Sequence, residues 1–289
     1  MDTQNLQAFQ AVADKGSFSE AASRLFITQP AISKRIAALE QQLNCKLFDR
    51  VGRKVHLTQA GEILLPKARQ ILLDMVDARR VLAELSGDIK GPLKLATSHH
   101  IGLHRLPPVL RQFSREFPRV QLSLDFLDSE KAYTQILEGY YDVAITTLAP
   151  TPEKSIKSYP IWDDELCIVA APDHPLSANK TVSLSELTDY PAILPSMNTY
   201  TTQVLKGLFD RKGLSLSVNM ATNHMDTIKM MSSIGLGWAA LPRTLVDESV
   251  RVLQVGGLTL TRQLGLIHHS ERSLSNAASA FLNLLENAP

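Results

Sequence analysis

Two short helices joined by a tight turn are predicted between residues 17 and 43, and this pattern constrains the fold more than any other part of the chain. Ser17 and Glu20 have the spacing of a capping box, in which each side chain satisfies a backbone amide of the other residue. Thr28 is expected to cap the second helix, and Pro30 falls in its first turn, where a missing amide donor costs little. With a preceding apolar helix, the segment predicts a compact three-helix unit.

The second of these helices has one apolar face and one polar face. Its apolar residues recur at the three- and four-residue steps that helix packing requires, and they are Ile32, Ile36, Leu39 and Leu43. The opposite face presents Gln29, Ser33, Lys34 and Ala37 to a partner. Side chains of these polar types read base edges or contact phosphates when a helix enters the major groove of DNA. A three-helix core without a ligand would not need that face.

Positive charge is concentrated in the same region. Between Arg24 and Thr58, seven lysines and arginines stand against two acidic residues, a net of +5, whereas the whole chain carries +1. Gly52 is placed at a predicted hairpin turn between two short strands, which would form a basic wing. Local charge of this kind suits counterion release from a phosphate backbone. A solvated basic surface without a ligand is the alternative, but its coincidence with the helix pair favours double-stranded DNA.

A characteristic spacing of residue types extends over about sixty residues. The matching positions are Ser17, Phe18, Ala21, Ala22, Leu25, Thr28, Gln29, Pro30, Ala31, Ile32, Ser33, Ile36, Leu39, Glu40, Leu43, Leu47, Phe48, Arg50, Leu57, Thr58, Ala60 and Gly61. This pattern resembles the amino-terminal domain of LysR-type transcriptional regulators. The resemblance implies a winged helix-turn-helix domain over residues 1–58 that binds operator DNA. It places Gln29, Pro30, Ser33 and Lys34 in the groove, and Arg53 against the adjacent phosphates or minor groove.

Residues 59–88 are predicted to form one long linker helix. Two rows of apolar residues recur every seven positions, namely Leu64, Ile71, Ala78 and Leu85, and Ala68, Met75 and Leu82. Pro66 predicts a kink near the second turn. A helix packed on its own domain is the alternative. The heptad spacing, and the family resemblance with it, favour a coiled coil between subunits, so we expect a homodimer and, by pairing of dimers, a homotetramer.

Strands and helices alternate through residues 91–289, after a short hinge, and include one helix from near His99 to Phe117 and a strand from Glu165 to Ala170. Their order recurs, which indicates two α/β lobes, lobe one at 91–163 and 266–289 and lobe two at 164–265. This arrangement resembles the periplasmic-binding-protein-like effector domain of the same family, although more loosely than the amino-terminal match. The expected fold class is therefore α/β, with an all-α winged helix-turn-helix domain, a long linker helix and a two-lobed effector domain.

Candidate effector-binding residues lie at the carboxyl ends of the predicted strands, where ligands bind in α/β folds. Lobe one contributes Thr97, Ser98, His99, His100 and Thr146, and lobe two contributes Ser196, Asn198, Thr199, Asn223 and His224. Most of these are neutral donors, which suit a small carboxylate or other oxyanion. His100 and His104 have the spacing of metal ligands on a helix, but no cysteine or carboxylate lies beside them, so we predict no metal and no cofactor.

The sequence gives little support for an enzyme or for an exported protein. Gly235 and Gly237 lack the third glycine of a dinucleotide fingerprint, and no hydrolase motif is present. A solute-binding protein or a prephenate-dehydratase-like enzyme of the same two-lobed fold is the alternative. The helix-turn-helix and the charged first turns, which do not resemble a signal peptide, favour a regulator that is not an enzyme.

Hydropathy and cysteine content predict where the protein is located and which partners it has. No apolar run approaches the roughly 18 to 20 residues that span a bilayer, so we expect a cytoplasmic protein without a membrane partner. RNA polymerase is a candidate partner. Cys45 and Cys167 fall in different domains without metal-site spacing, which predicts neither a disulfide nor a redox sensor.

Overall fold

The amino-terminal unit, residues 1–86, is built on three helices. The computed structural model describes residues 2–51, 54–84, 87–256 and 258–287, and the three helices are α1 (Thr3–Lys15), α2 (Phe18–Arg24) and α3 (Gln29–Leu43). Gly16 ends α1 with a φ of +62°, a left-handed conformation that suits glycine. The predicted three-helix arrangement is therefore present.

The helix starts follow the predicted signals in part. The Ser17 hydroxyl accepts a hydrogen bond from the Glu20 amide at 3.3 Å, which is one half of the capping box. Among the described residues, the reciprocal bond from the Ser17 amide to the Glu20 carboxylate is not formed. Thr28 adopts the extended N-cap conformation, but its hydroxyl makes no capping bond, contrary to the prediction. The start of α3 thus rests on backbone conformation and on Pro30 in its first turn.

The apolar face of α3 is the centre of this unit. Ile32, Ile36 and Leu39 are buried and pack with Phe9 and the other apolar residues of α1 and α2. Burial of each such side chain stabilises the fold by roughly 1.5 to 3 kcal/mol. The inward direction of this face leaves the opposite face of α3 to solvent, as the sequence predicted.

A two-stranded wing follows the helices. Strands β1 (Phe48–Val51) and β2 (Lys54–Leu57) pair in antiparallel register, Phe48 opposite Leu57. The Phe48 ring packs 5.3 Å from that of Phe9, between centroids, and ties the wing to the helices. Gly52 and Arg53, at the predicted hairpin turn, lie outside the described residues.

The linker helix α4 (Gln59–Glu84) is divided between two environments. Its first half packs on the amino-terminal unit: Ala68 is fully buried, and Arg69 forms an ion pair with Asp14 of α1 at 2.7 Å. The alternative of packing on its own domain therefore holds for this half. In the second half, Val76 and Leu82 are 57% and 68% exposed. Leu85 lies outside the described residues.

The second unit, residues 87–289, begins with lobe one. Its first elements are β3 (Gly91–Thr97), α5 (His99–His104), α6 (Pro107–Glu116), β4 (Val120–Phe126), α7 (Ser129–Leu137) and β5 (Val143–Thr147). Strand β3 lies between β4 and β5 and is parallel to both. The single helix predicted from His99 to Phe117 is two helices, because Pro107 and Pro108 restart the chain in the first turn of α6.

The remaining elements build lobe two and return to lobe one. They are β6 (Ile156–Ala170), α8 (Leu184–Leu187), β7 (Ala192–Leu194), α9 (Tyr200–Arg211), β8 (Val218–Ala221), α10 (Met225–Ser233), β9 (Trp238–Pro242), β10 (Arg251–Val252), β11 (Leu260–His269) and α11 (Asn276–Glu286). Within the described residues, the strands form one mixed sheet in the order β4-β3-β5-β11-β6-β9-β7-β8, with β10 paired to β6.

The antiparallel strands β6 and β11 run through both lobes and connect them. Leu264 and Leu266 belong to the core of lobe one, while Leu166 and Leu260 belong to the core of lobe two. The crossing on β11 therefore lies between Leu260 and Leu264, earlier than the predicted boundary at residue 266. Strand β6 is also much longer than the predicted segment, because its first half pairs with β11 inside lobe one.

Candidate functional site

The polar face of α3 is open and mostly unpaired. Gln29, Pro30, Lys34 and Ala37 are exposed and Ser33 is half-buried. The Gln29 amide lies 3.3 Å from the Ser33 hydroxyl, one turn further along the helix. These side chains thus form one continuous surface of hydrogen-bonding groups and positive charge.

Several cations near this face are already paired. Lys46 bonds Glu40 at 2.6 Å, Arg24 bonds Asp14 at 2.9 Å, and Arg35 donates to the Gln4 side chain at 2.8 Å. Although burial opposes it, hydrogen bonds from Lys46 and the Leu47 amide hold the pKa of Glu40 below its usual value. Lys34 has no partner among the described residues. Its ammonium group is therefore available to a phosphate.

A small cavity of about 40 Å³ lies between the two lobes of the second unit. Lobe one lines it with Ser98, His99, His100, Asp128, Ser129, Glu130 and Thr147. Lobe two lines it with Pro195, Thr199, Thr201, Asn223 and Met225, and β11 adds Arg262. A single water needs about 10 to 15 Å³ of such space, so the cavity has room for a few heavy atoms.

The predicted effector-binding residues divide equally between the cavity wall and its surroundings. Those on the wall are Ser98, His99, His100, Thr199 and Asn223. Those that the structure does not bring to the wall are Thr97, Thr146, Ser196, Asn198 and His224. The prediction located the cleft, but chose several neighbours of its lining residues.

The five outlying residues have other surroundings. The Thr97 hydroxyl donates to the Ile145 carbonyl at 2.9 Å inside the sheet. Ser196 donates its amide to the Asn223 side chain at 3.0 Å, and so positions a residue that does line the cavity. Asn198 and His224 are exposed, and Thr146 is buried beside Thr147. Thr146 misses the cavity wall because the side chains of neighbouring residues in a strand point to opposite faces, and Thr147 of β5 is the one that faces the cavity.

Asp128 and Glu130 are cavity residues that the sequence prediction missed. The Glu130 carboxylate accepts from the Tyr200 amide, at the start of α9, at 2.7 Å. The Asp128 carboxylate accepts from the Asn223 side chain at 2.9 Å. Both bonds join lobe one to lobe two. The signal was available, because these residues follow the carboxyl end of β4 as Ser98 follows that of β3.

A buried ion-pair group forms the floor of the cleft, where the paired strands β6 and β11 pass from one lobe to the other. Arg262 donates to Asp164 at 2.8 Å and to the Thr201 hydroxyl at 2.5 Å. Arg105 approaches the other oxygen of Asp164 at 3.7 Å. Asp164 and the Arg262 side chain are 1% and 5% exposed, so water screens them little. Two arginines against one aspartate leave this group with a net positive charge, and no local sequence signal indicated it.

His100 is buried against this group. Burial, followed by the charges of Arg262, His104 and Arg105, lowers the pKa of His100 to about 3, so the ring is neutral near pH 7. Neither ring nitrogen has a hydrogen-bond partner among the described residues. A buried polar group without a partner costs about 1 to 3 kcal/mol, which a ligand in the cavity could offset.

Histidines also face one another across the lobes. The rings of His99 and His224 are 4.6 Å apart between centroids, and His104 lies 3.6 Å from Asp226. Among the described residues, no group of three or more His, Cys, Asp or Glu side chains is placed to hold a metal ion. Cys45 and Cys167 are both free, and burial raises the pKa of the Cys167 thiol.

Two families of known proteins match the chain. The bacterial regulatory helix-turn-helix protein family, lysR family, matches residues 3–62, and the LysR substrate binding domain family matches residues 86–289. The chain belongs to the LysR family: it is a DNA-binding transcriptional regulator with an effector-binding domain. The predicted family and fold class are confirmed.

Individual relatives agree with this membership. A probable RuBisCO transcriptional regulator of Cyanidioschyzon merolae is 32% identical over 296 residues, which cover 98% of this chain and 96% of the relative. A full-length OxyR variant from Pseudomonas aeruginosa has the same fold, with a TM-score of 0.75 at 20% identity, covering 100% of this chain and 99% of that one. Full-length CbnR bound to its target DNA superposes with a TM-score of 0.65 at 21% identity, covering 100% of each chain.

No helix within the described residues is long and apolar enough to cross a membrane.

Proposed function

We propose that α3 reads operator DNA with Gln29 and Ser33, while Pro30 fits the groove and Lys34 contacts phosphate. The observation that supports this is the exposed face of α3, where Lys34 has no partner within the part of the chain that the structure describes and the opposite face is buried. Arg53, from the wing, is proposed to contact the adjacent phosphates or the minor groove. Base contacts would give sequence preference, and the cations would give salt-dependent affinity.

The cleft of the second unit is proposed to bind a small anionic effector, a carboxylate or another oxyanion. The supporting observation is the cavity shared by the two lobes, with Arg262 on its floor. A guanidinium has five N–H donors, and Asp164 and Thr201 are the partners of Arg262 described above. The Ser98 hydroxyl lines the cavity and makes no hydrogen bond within the described residues. These donors would hold the anion.

Regulation would follow from the same contacts. Glu130 and Asp128 already join the lobes through Tyr200 and Asn223. A ligand shifts the equilibrium between open and closed lobes only by its differential affinity for the two. An anion that contacts Ser98 from lobe one and Thr199 or Asn223 from lobe two would favour closure and alter DNA binding.

The effector proposal is tested with a thermal-shift screen on the full-length protein. The panel contains carboxylates, amino acids, and sulfur and nitrogen oxyanions, and a ligand raises the melting temperature by mass action. Ser98→Ala should weaken binding of the hit by about 1 to 2 kcal/mol in calorimetry, since one hydrogen bond is lost. If both single variants, Ser98→Ala and Asn223→Ala, bind the hit with wild-type affinity, the effector site lies outside the cleft.

Self-association is proposed to use the second half of α4, as a homodimer whose dimers pair into a homotetramer. The support is the set of exposed apolar side chains in that half, Val76, Val81 and Leu82, of which Leu82 lies on a heptad row. Leu82→Asp would bury a carboxylate in the interface, at a cost of several kcal/mol, and should dissociate dimers in sedimentation experiments. Ile63→Asp is the matched control, because Ile63 is 66% exposed on the same helix but lies off the heptad rows. An intact Leu82→Asp dimer would place the interface elsewhere.

A regulator without enzymatic activity is the function that these features support best, with RNA polymerase as a candidate partner on DNA. Selection of bound sequences from random duplex DNA tests the proposed role of α3. Enrichment of a motif by the wild type, and its loss in Lys34→Ala with Ser33→Ala, is the expected result.

A further inference from the structure

The effector cleft has two walls of opposite charge. On one side, Asp128 and Glu130 flank the buried Ser129 at the start of α7 and line the cavity. On the other, Arg262 stands with Arg105 and Asp164 in the group of net positive charge. A simple anion would satisfy only the second wall.

The carboxylates of the first wall lack a compensating cation. Each accepts one hydrogen bond from a neutral donor, the Tyr200 amide for Glu130 and the Asn223 side chain for Asp128. Neither has an ion-pair partner among the described residues. A carboxylate can accept about four hydrogen bonds, so both keep capacity for a ligand that donates. Two negative charges without a cation at one small cavity favour a positively charged group there.

An independent observation shows that the cavity is built for an occupant. His100 is 4% exposed and lines the cavity, and both of its ring nitrogens lack partners among the described residues. A neutral imidazole offers one donor and one acceptor. A ligand with an anionic acceptor and a cationic donor satisfies both, whereas a simple anion satisfies one.

We propose that the effector is a zwitterionic amino acid, with its carboxylate on Arg262 and Ser98 and its ammonium on Asp128 and Glu130. This inference rests on the proposed function, since it names the ligand class of the same cleft. The cavity volume of about 40 Å³ admits the backbone atoms of an amino acid and little more, so a small side chain is expected.

The test compares matched ligands on the full-length protein. The standard amino acids are screened by thermal shift. The hit is then compared by calorimetry with the carboxylic acid that lacks its amine and with the amine that lacks its carboxylate. The amino acid should bind at least about ten-fold tighter than either analogue, as expected for loss of a charge-assisted hydrogen bond.

Each other outcome overturns the inference in a recognisable way. If no standard amino acid binds, the zwitterionic effector is wrong, and the screen of carboxylates and other oxyanions decides whether the anion site stands. If the carboxylic acid binds as tightly as the amino acid, the zwitterionic effector is wrong while the anion site stands. If the amine alone binds as tightly, the anion site fails as well, and with it the proposed effector class.

Two conservative variants test the acidic wall itself. Asp128→Asn and Glu130→Gln keep the shape and the acceptor for lobe two but remove the charge. Each should weaken the amino acid about ten-fold or more and leave affinity for the carboxylic acid unchanged or higher. Asp189→Asn, an exposed residue away from the cavity, is the control for lost charge and should change neither. Equal losses for both ligands would show that the two residues only support the fold, and would overturn the proposal.

Discussion

The polar face of α3 and the effector cleft hold their functional groups in opposite ways. On α3 the groups come from one helix, they are exposed except for the half-buried Ser33, and the hydrogen bond described between them joins residues four positions apart, Gln29 and Ser33. In the cleft, Arg262 and Asp164 are almost fully buried and lie 98 positions apart in the chain. Asn223 and Asp128 are 95 apart.

This difference predicts which property each substitution changes. A group on the polar face of α3 is bonded at most to a neighbour on the same helix among the described residues, so its substitution should change DNA binding and leave stability nearly constant. A buried group in the cleft is bonded to another lobe or strand, so its substitution should change stability and ligand binding together. The following experiments test whether substitutions in the two regions differ in this way.

The largest effect is expected for Asp164→Asn. The variant keeps an acceptor for Arg262 but removes the charge that compensates two arginines in a buried site. Breaking a buried pair in this way costs about 3 to 5 kcal/mol. Both tryptophans, Trp162 and Trp238, belong to the second unit, so fluorescence during urea unfolding reports that unit alone. Asp189→Asn is the exposed control, and an equally small effect in both variants would show that the pair is dispensable.

A second large effect concerns pH and His100. Its pKa is about 3 in the folded chain and near 6.5 when unfolded, so only the unfolded chain binds the proton between these values. Unfolding is then favoured as the pH falls below 6.5, by about 1.4 kcal/mol per pH unit at most, and no contribution exists above 6.5.

The measurement compares the pH dependence of the free energy of unfolding in wild type and His100→Gln. Burial lowers the pKa of His174 and His268 as well, so the difference between the two proteins isolates His100. His100→Gln should show a shallower loss of stability between pH 7 and pH 5. Parallel curves would mean that the ring takes up its proton in the folded state.

The same contrast explains what the sequence could predict. The helix-turn-helix, the wing and the polar face of α3 depend on local periodicity and capping, which appear in order along the chain. The position of the cleft was also predictable, because strand ends mark it. Arg262 and Asp164 were not, since they meet through the register of two long strands rather than through any local pattern. The two-helix break at Pro107 was readable in the sequence but was missed.

An intermediate effect is expected for Lys34→Ala, which removes a cation of α3 that has no partner among the described residues. Operator affinity should fall for all sequences alike, and the slope of log affinity against log salt should decrease by about one unit. Fluorescence anisotropy across a salt series measures both. Lys180→Ala removes an exposed lysine of lobe two and serves as the control. An unchanged salt slope in Lys34→Ala would remove this residue from the DNA interface.

The smallest effect on stability, and the sharpest test of the comparison, is expected for Ser33→Ala. Ser33 is half-buried and, among the residues that the structure describes, its hydroxyl hydrogen-bonds only with Gln29, an exposed neighbour, so the free energy of unfolding should change by less than about 0.5 kcal/mol. Discrimination against single base changes should nevertheless fall at one operator position, by about 1 to 3 kcal/mol, if the hydroxyl or the Gln29 amide that it positions reads a base edge. Anisotropy with matched and singly mismatched duplexes gives this value. A variant that loses stability but keeps its discrimination would show that the polar face of α3 supports the fold, as the cleft residues do, and the contrast between the two regions would fail.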